Sequence, residues 1–267
     1  MEFSTDIFSL DPNKDIHIEF CKNTTIKLPT SQDIFFRAKE DEIFQQYQSA
    51  RLFLRETETD DWDHWFQDYD PNYTEAFKLL FIQRMYETAL IYYNILVDLS
   101  WTLCYISTEY ALYKKDKTIK LNDFINIEDA YDAMRNAENL VTNPDNEGNP
   151  LTYIKVMCPE FEDSINLVID FWKDFKDSSI RNLYNYIKHK GKPSYEELER
   201  IKGGKLMGLK INEEECPIDI RDVKKVVNLR KSIIDLREFD DTILFPYIKK
   251  LFELLELEIK PSEILLT

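Results

Sequence analysis

From residue 74 to about residue 113, two apolar stripes run side by side at helical spacing, and they leave the chain few ways to fold. One is Phe81, Met85, Ala89, Tyr92, Leu96, Leu99, Leu103, Ile106 and Tyr110; the other is Leu79, Ile82, Tyr86, Leu90, Tyr93, Val97, Trp101 and Cys104. Adjacent stripes about 100° apart make a helix apolar over more than half its circumference, so a bundle or an oligomer interface has to surround it. Unbroken, it would reach about 60 Å. Its polar side carries Arg84, Glu87, Asn94, Asp98 and Thr102, expected as a solvated face. Residues 89–106 have the length of a short membrane span, but Asn94 and Asp98 make a lipid-facing helix expensive, and no membrane contact is expected.

The rest of the chain points the same way. Only five glycines among 267 residues leave few sharp turns for a multi-stranded β protein, whereas abundant Leu, Ile, Lys and Glu suit long helices. The expected fold is all-α, a helical bundle around the long central helix, with a small N-terminal β-hairpin or extended pair in IHIEF and TIKL, residues 16–28. A helix is expected over 31–57, with Ile34, Phe35, Ala38, Ile43, Tyr47, Ala50 and Leu54 inward. The acidic, aromatic run 60–73 reads as a connection pinned by Trp62 and Trp65. Residues 114–126 read as a polar connection and 127–142 as an amphipathic helix. NPDNEGNP at 143–150 is the strongest turn signal. Helices follow over 151–158, 160–176, 178–189 and 194–202; 205–227 is mixed, with short strands near LMGLKI, and helices over 223–236 and 241–257 close the bundle. No repeat or low-complexity linker divides the chain, so one domain over 1–267 is expected, with an N-terminal segment at 1–30.

Charge narrows the function. The net charge is −16, which argues against bulk coating of duplex DNA, because that binding depends on neutralising phosphates. Residues 181–210 nevertheless hold eight Lys or Arg against three Glu, a local +5, and the remainder therefore carries −16 − 5 = −21. Cys21, Cys104, Cys158 and Cys216 are scattered and form neither a zinc pattern nor a disulfide framework. With no basic stretch leading an apolar run at the N-terminus, a reducing cytoplasm is expected. No phosphate-binding glycine loop, zinc-protease motif or serine-nucleophile elbow is present.

The basic region begins in SSIRNLYNYIKHKGKP, residues 178–193. As a helix it stripes Ile180, Leu183, Tyr184 and Ile187 inward and places Arg181, Asn185 and Lys188 on the adjoining polar face, with His189 at its edge. The same residues also read as an ordinary helix end: cations in the last turn, Gly191 as a cap and Pro193 as a stop.

RNLYNYIKHKG, together with the long helix YETALIYYNILVDLSWTLCYISTEY, resembles the HEPN superfamily of all-helical proteins. The resemblance spans about residues 74–257 as a core bundle, but its specific part is about eleven residues. It implies a metal-independent, cofactor-free endoribonuclease acting on single-stranded RNA as a homodimer whose motifs face each other. The site residues it implies are Arg181, Asn185 and His189, with Lys188, Lys190 and Lys192 holding flanking phosphates. Histidine suits proton transfer near neutral pH, and arginine suits the charge developing on a phosphorane. The sequence departs from the family pattern in two places. Seven residues separate Arg181 from His189 where four to six are usual, and Gly191 stands where some members have Tyr. On one continuous helix the two backbones lie about 12 Å apart along the axis. A helix break near Tyr186, or a second protomer, would have to bring them together. The rival expectation is a non-catalytic acidic helical interaction module, an antitoxin-like or scaffold subunit with a protein partner.

Overall fold

The structure, a computed structural model, describes residues 30–59, 62–108, 110–114, 117–120, 123–141, 150–201, 205–206, 210–211, 214–215, 218–219 and 223–258. The expected hairpin at 16–28 and all but the last residue of the 143–150 turn lie outside the described residues. The architecture is all-α. Helix α1 (Thr30–Glu56) runs beside the long α2 (Pro71–Ser107), joined by a connection holding a 3-10 turn at Asp63–Phe66. The two are antiparallel: Gln32 near the start of α1 donates to the Ile106 and Ser107 carbonyls at the end of α2, at 2.9 and 3.1 Å. In the connection Trp62 is buried, packs on Phe81 and donates from Nε1 to the Glu56 carbonyl. Trp65 is 58% exposed, so only one of the two expected pins is buried.

α2 ends earlier than its apolar pattern suggests. Ser107 and Thr108 turn their hydroxyls onto the Leu103 and Tyr105 carbonyls. With Gln32 satisfying the next two carbonyls, the helix end is completed from side chains and the chain is released. Residues after it form a hairpin, β1 (Tyr110–Lys114) with β2 (Lys117–Lys120), where helix and then polar connection were expected. α1 also differs from expectation in its first half. Ile34 and Ala38 are exposed and Phe35 only partly buried, while Gln32, Phe36 and Glu40 face inward, because Gln32 caps α2 and Glu40 takes Arg37 at 2.8 Å. The second half follows expectation through Ile43, Tyr47, Ala50 and Leu54.

Helices α3 (Ile127–Val141), α4 (Pro150–Met157), α5 (Glu162–Phe175) and α6 (Ser179–His189) follow, with a 3-10 turn at Pro159–Phe161 before α5. The chain then makes β3 (Ser194–Tyr195) and α7 (Glu196–Ile201). Short antiparallel pairs β4 (Lys205–Leu206) with β7 (Ile218–Asp219), and β5 (Lys210–Ile211) with β6 (Glu214–Glu215), agree with the strands expected near LMGLKI. β8 (Val226–Val227) pairs in parallel with β3, and α8 (Leu229–Phe239) leads through a π-helical turn (Asp240–Leu244) into α9 (Phe245–Glu258). The helix expected from residue 223 therefore starts six residues later. Asn228 caps it by accepting from the Lys231 backbone N–H, while the Glu197 carboxylate accepts from the Leu229 and Arg230 backbone N–H groups. α2 is long and apolar enough to cross a membrane by composition, but most of that stretch is inside the protein. The bundle includes α1 and so extends beyond 74–257.

The π turn carries the deepest charge in the core. Asp240, 1% exposed, accepts from the Tyr47 hydroxyl of α1, from the Tyr93 hydroxyl of α2 at 2.8 Å and from Arg51 Nε at 3.0 Å. The Arg51 guanidinium lies 4.4 Å above the Tyr47 ring. Burial and the neighbouring carboxylate push both tyrosine hydroxyls well above their ordinary pKa, so they stay protonated as donors. Breaking a buried ion pair strands its partner at about 3–5 kcal/mol, and losing a hydrogen bond to a charged group costs about 1.5–3 kcal/mol. Asp240→Ala is therefore expected to lower the unfolding free energy in urea by about 4 kcal/mol, and Tyr93→Phe by about 2 kcal/mol. Beside this node Glu58 is pushed up to about 8 by burial and by Asp241, against the opposing pull of Arg237. Its proton is held more tightly in the folded state, so its stabilising contribution is complete below its ordinary value near 4.5 and is lost as pH rises through about 8. Glu58→Gln is expected to remove this part of the pH dependence, read as denaturation midpoints from pH 5 to 9.

Candidate functional site

α6 begins where Ser178 caps it, its hydroxyl accepting from the Arg181 backbone N–H at 3.1 Å. Ile180, Leu183 and Tyr184 are buried and Ile187 packs against the core, as the spacing predicts. The helix runs unbroken to His189, so no break at Tyr186 shortens the path from Arg181. The backbone N–H groups of Lys190 and Gly191 both reach the Tyr186 carbonyl, at 2.8 and 3.1 Å. Gly191 takes φ +103°, a left-handed conformation that side chains resist, and thereby completes a glycine-terminated helix end.

Arg181 points inward. It is 9% exposed, donates from Nη1 to Asn94 Oδ1 at 3.1 Å and lies 3.4 Å from Asp98 Oδ1. Its guanidinium sits 5.1–5.7 Å from the ring centres of Tyr184, Trp172 and Phe175. Burial raises the Asp98 carboxyl above its ordinary pKa, while the cations of Arg181 and Lys188 pull it back. The side of α2 expected to be solvated is covered in part, with Arg84 exposed and Asp98 half-buried as against three covered residues. Asn94 is fully buried, Thr102 and Glu87 are 5% exposed, and Glu87 takes Gln83, Arg84 and the Tyr195 hydroxyl. Arg181 accounts for Asn94 and Asp98, since its charge needs these acceptors once aromatic rings enclose it.

The other expected site residues lie elsewhere on α6 or just past its end. Lys188, His189 and Lys190 are exposed. Asn185 is half-buried and makes no side-chain hydrogen bond within the described residues. Lys192 is exposed and 3.9 Å from Glu87 Oε2. Arg181 and His189 thus occupy different environments of one helix: the guanidinium is enclosed within the bundle, and the imidazole meets solvent. His189 instead shares a face with Asn182 and Tyr186, at i, i+4 and i+7. Sequence reading missed Asn94 and Asp98 as partners of Arg181. The usable signal was two polar residues one turn apart within a helix that had to be buried. It also missed Lys225, whose backbone N–H reaches the Tyr186 hydroxyl at 3.3 Å and whose ammonium lies 5.6 Å from the Tyr186 ring centre.

Among the described residues, no group of three or more His, Cys, Asp or Glu is placed to hold a metal ion. Cys104 and Cys158 are buried, and the Cys104 thiol donates to Ser164 Oγ at 3.8 Å. Comparison of the chain with protein-family models, curated proteins and solved structures found no match.

The inward arginine predicts a stability effect. Arg181→Ala leaves Asn94 without its donor and Asp98 without its paired cation, and is expected to cost about 3 kcal/mol in urea unfolding. Arg181→Lys is expected to recover only part of this, since a lysine lacks the planar guanidinium that packs on the Trp172, Phe175 and Tyr184 rings. Asn185→Ala is expected to stay within about 0.5 kcal/mol of wild type.

Proposed function

We propose that the chain is a metal-independent endoribonuclease for single-stranded RNA, acting as a homodimer through the exposed end of α6. The observation that carries this reading is the solvent-facing His189 between two exposed lysines, the one histidine within the local +5 of an acidic protein. Cleavage by the 2′-hydroxyl needs one group to take its proton and another to protonate the departing 5′-oxygen, leaving a 2′,3′-cyclic phosphate. A single imidazole has to fill both roles in turn. Two copies related by a twofold axis supply one His189 each, base and acid together. Lys188 and Lys190 offset the charge developing on the phosphorane, and Asn185, one turn before His189 and without a side-chain hydrogen bond of its own among the described residues, is the group available to orient the imidazole once substrate is bound. Arg181 is assigned here as a positioning residue that seats α6 on α2, because its guanidinium is already engaged by Asn94 and Asp98.

A second reading has its own support. The engaged Arg181 and the Gly191 stop are what a non-catalytic helix end also needs, and Trp65, Tyr69 and Tyr73 form an exposed aromatic, acidic surface suited to a protein partner. The two readings separate in one assay, cleavage of a labelled single-stranded RNA in EDTA. The nuclease reading expects wild-type activity and a loss of about 100-fold or more in His189→Ala, the usual weight of a general acid or base. No wild-type cleavage, or equal cleavage by the variant, would favour the binding module.

A further inference from the structure

A cleft of about 350 Å³ opens beside the first turns of α6, between that helix, β8 and α8. Its lining combines apolar side chains with cations. Tyr86, Leu183 and Val227 supply the apolar part, and of these Tyr86 and Leu183 are buried. Lys225 and Lys231 line it as well, both exposed, and no ion pair holds the Lys231 ammonium among the described residues. The acidic member of the lining is Asp235.

The wall that carries Lys225 is built rather than incidental. β8 is tied to β3 in parallel, the Ser194 backbone N–H donates to the Lys225 carbonyl at 2.9 Å, and the Tyr186 hydroxyl accepts from the Lys225 backbone N–H. Tyr186 thus joins the cleft to the helix end. Asn182, which lines the cleft, and His189 lie on the same face of α6, about 10 Å apart along its axis. The Arg181 seam is on another face.

We infer that this cleft binds a nucleotide, with the base against the apolar part and the phosphate at Lys225 and Lys231. An apolar slot with a few placed polar groups is the usual form of a small-ligand site, and single-stranded nucleic acid is held by bases against flat or apolar side chains and cations on the backbone. Asp235 is an acceptor for an amino group on the base, a role carboxylates play toward cytosine, so bases bearing an exocyclic amine are preferred over uracil. The assignment deepens the nuclease reading, since the cleft would hold a nucleotide neighbouring the phosphate at His189. It also stands without it, as the ligand site of a binding protein.

The test is calorimetric titration of the full chain with cytidine 5′-monophosphate, uridine 5′-monophosphate, cytidine and inorganic phosphate. The expected result is that the cytidine nucleotide binds, and that cytidine and phosphate each bind about tenfold more weakly or worse, about 1.4 kcal/mol. Lys225→Glu with Lys231→Glu, surface changes checked for fold by circular dichroism, is expected to weaken the nucleotide by about tenfold or more. Asp235→Asn is expected to erase the preference over the uridine nucleotide. Absence of nucleotide binding, affinity unchanged by the double charge reversal, or phosphate binding as tightly as the nucleotide would overturn the assignment. Nucleotide binding without RNA cleavage would sink the nuclease reading and leave the cleft standing; cleavage without nucleotide binding would do the reverse.

Discussion

Enclosing α2 on nearly every side sets a strong demand for partners on the polar side chains it turns inward, and several surrounding helices are positioned by those partners, although the Tyr105 hydroxyl is buried without a hydrogen bond among the described residues. A buried polar group without one costs several kcal/mol, a large part of the stability of a domain this size. Tyr93 is answered by Asp240 and, through it, by Tyr47 and Arg51 of α1. Asn94 and Asp98 are answered by Arg181 of α6. Ser100 is answered by the Tyr247 hydroxyl of α9 at 2.8 Å. Apolar packing fills the space between, with Trp101 on Trp172 and Phe171 on Tyr247, but it is less selective about register than these pairs. The π turn fits this pattern. An extra residue in the helical turn at 240–244 is the kind of departure found where one side chain has to be aimed, and here the aimed group is Asp240.

The same requirement divides α6 into two working faces. Its inward arginine is spent on α2, which gives the helix a fixed roll angle and leaves the imidazole of His189 and the ammonium groups of Lys188 and Lys190 in solvent. Asn182, Tyr186 and His189 then form a line from the cleft to the helix end, with Lys225 held beside it by Tyr186. A phosphate-bearing ligand would meet cations along this whole line, while the acidic remainder of the surface repels it elsewhere. In the proposed site Arg181 and His189 need not share one phosphate.

The long central helix and the inward face of α6 were legible because apolar periodicity reports burial directly. Ile180, Leu183 and Tyr184 face as predicted for that reason. The end of α2 was not legible, since Tyr110 continues the stripe and only the tertiary reach of Gln32 and the local hydroxyls of Ser107 and Thr108 stop the helix. The polar stripe of α2 was misplaced for a related reason. Polarity along a helix suggests water, but Asn94 is buried because a residue 87 positions later in the chain brings a charge to it, and Glu87 is buried against Gln83 and the Tyr195 hydroxyl. In α1, Gln32 and Glu40 displaced Ile34 and Ala38 from the interior, Gln32 by reaching the Ile106 and Ser107 carbonyls and Glu40 by pairing with Arg37. The cleft could not be read at all, being assembled from α2, α6, β8 and α8.

Hydrogen–deuterium exchange with and without a 2′-O-methyl single-stranded RNA, which binds but cannot be cleaved, measures most directly which face of α6 meets the ligand. The two-face account predicts new protection in the last turn of α6 and across residues 225–232, with the Asn94 and Asp98 segment of α2 unchanged. Protection confined to the aromatic, acidic connection around Trp65, or none on α6 and residues 225–232, would contradict it.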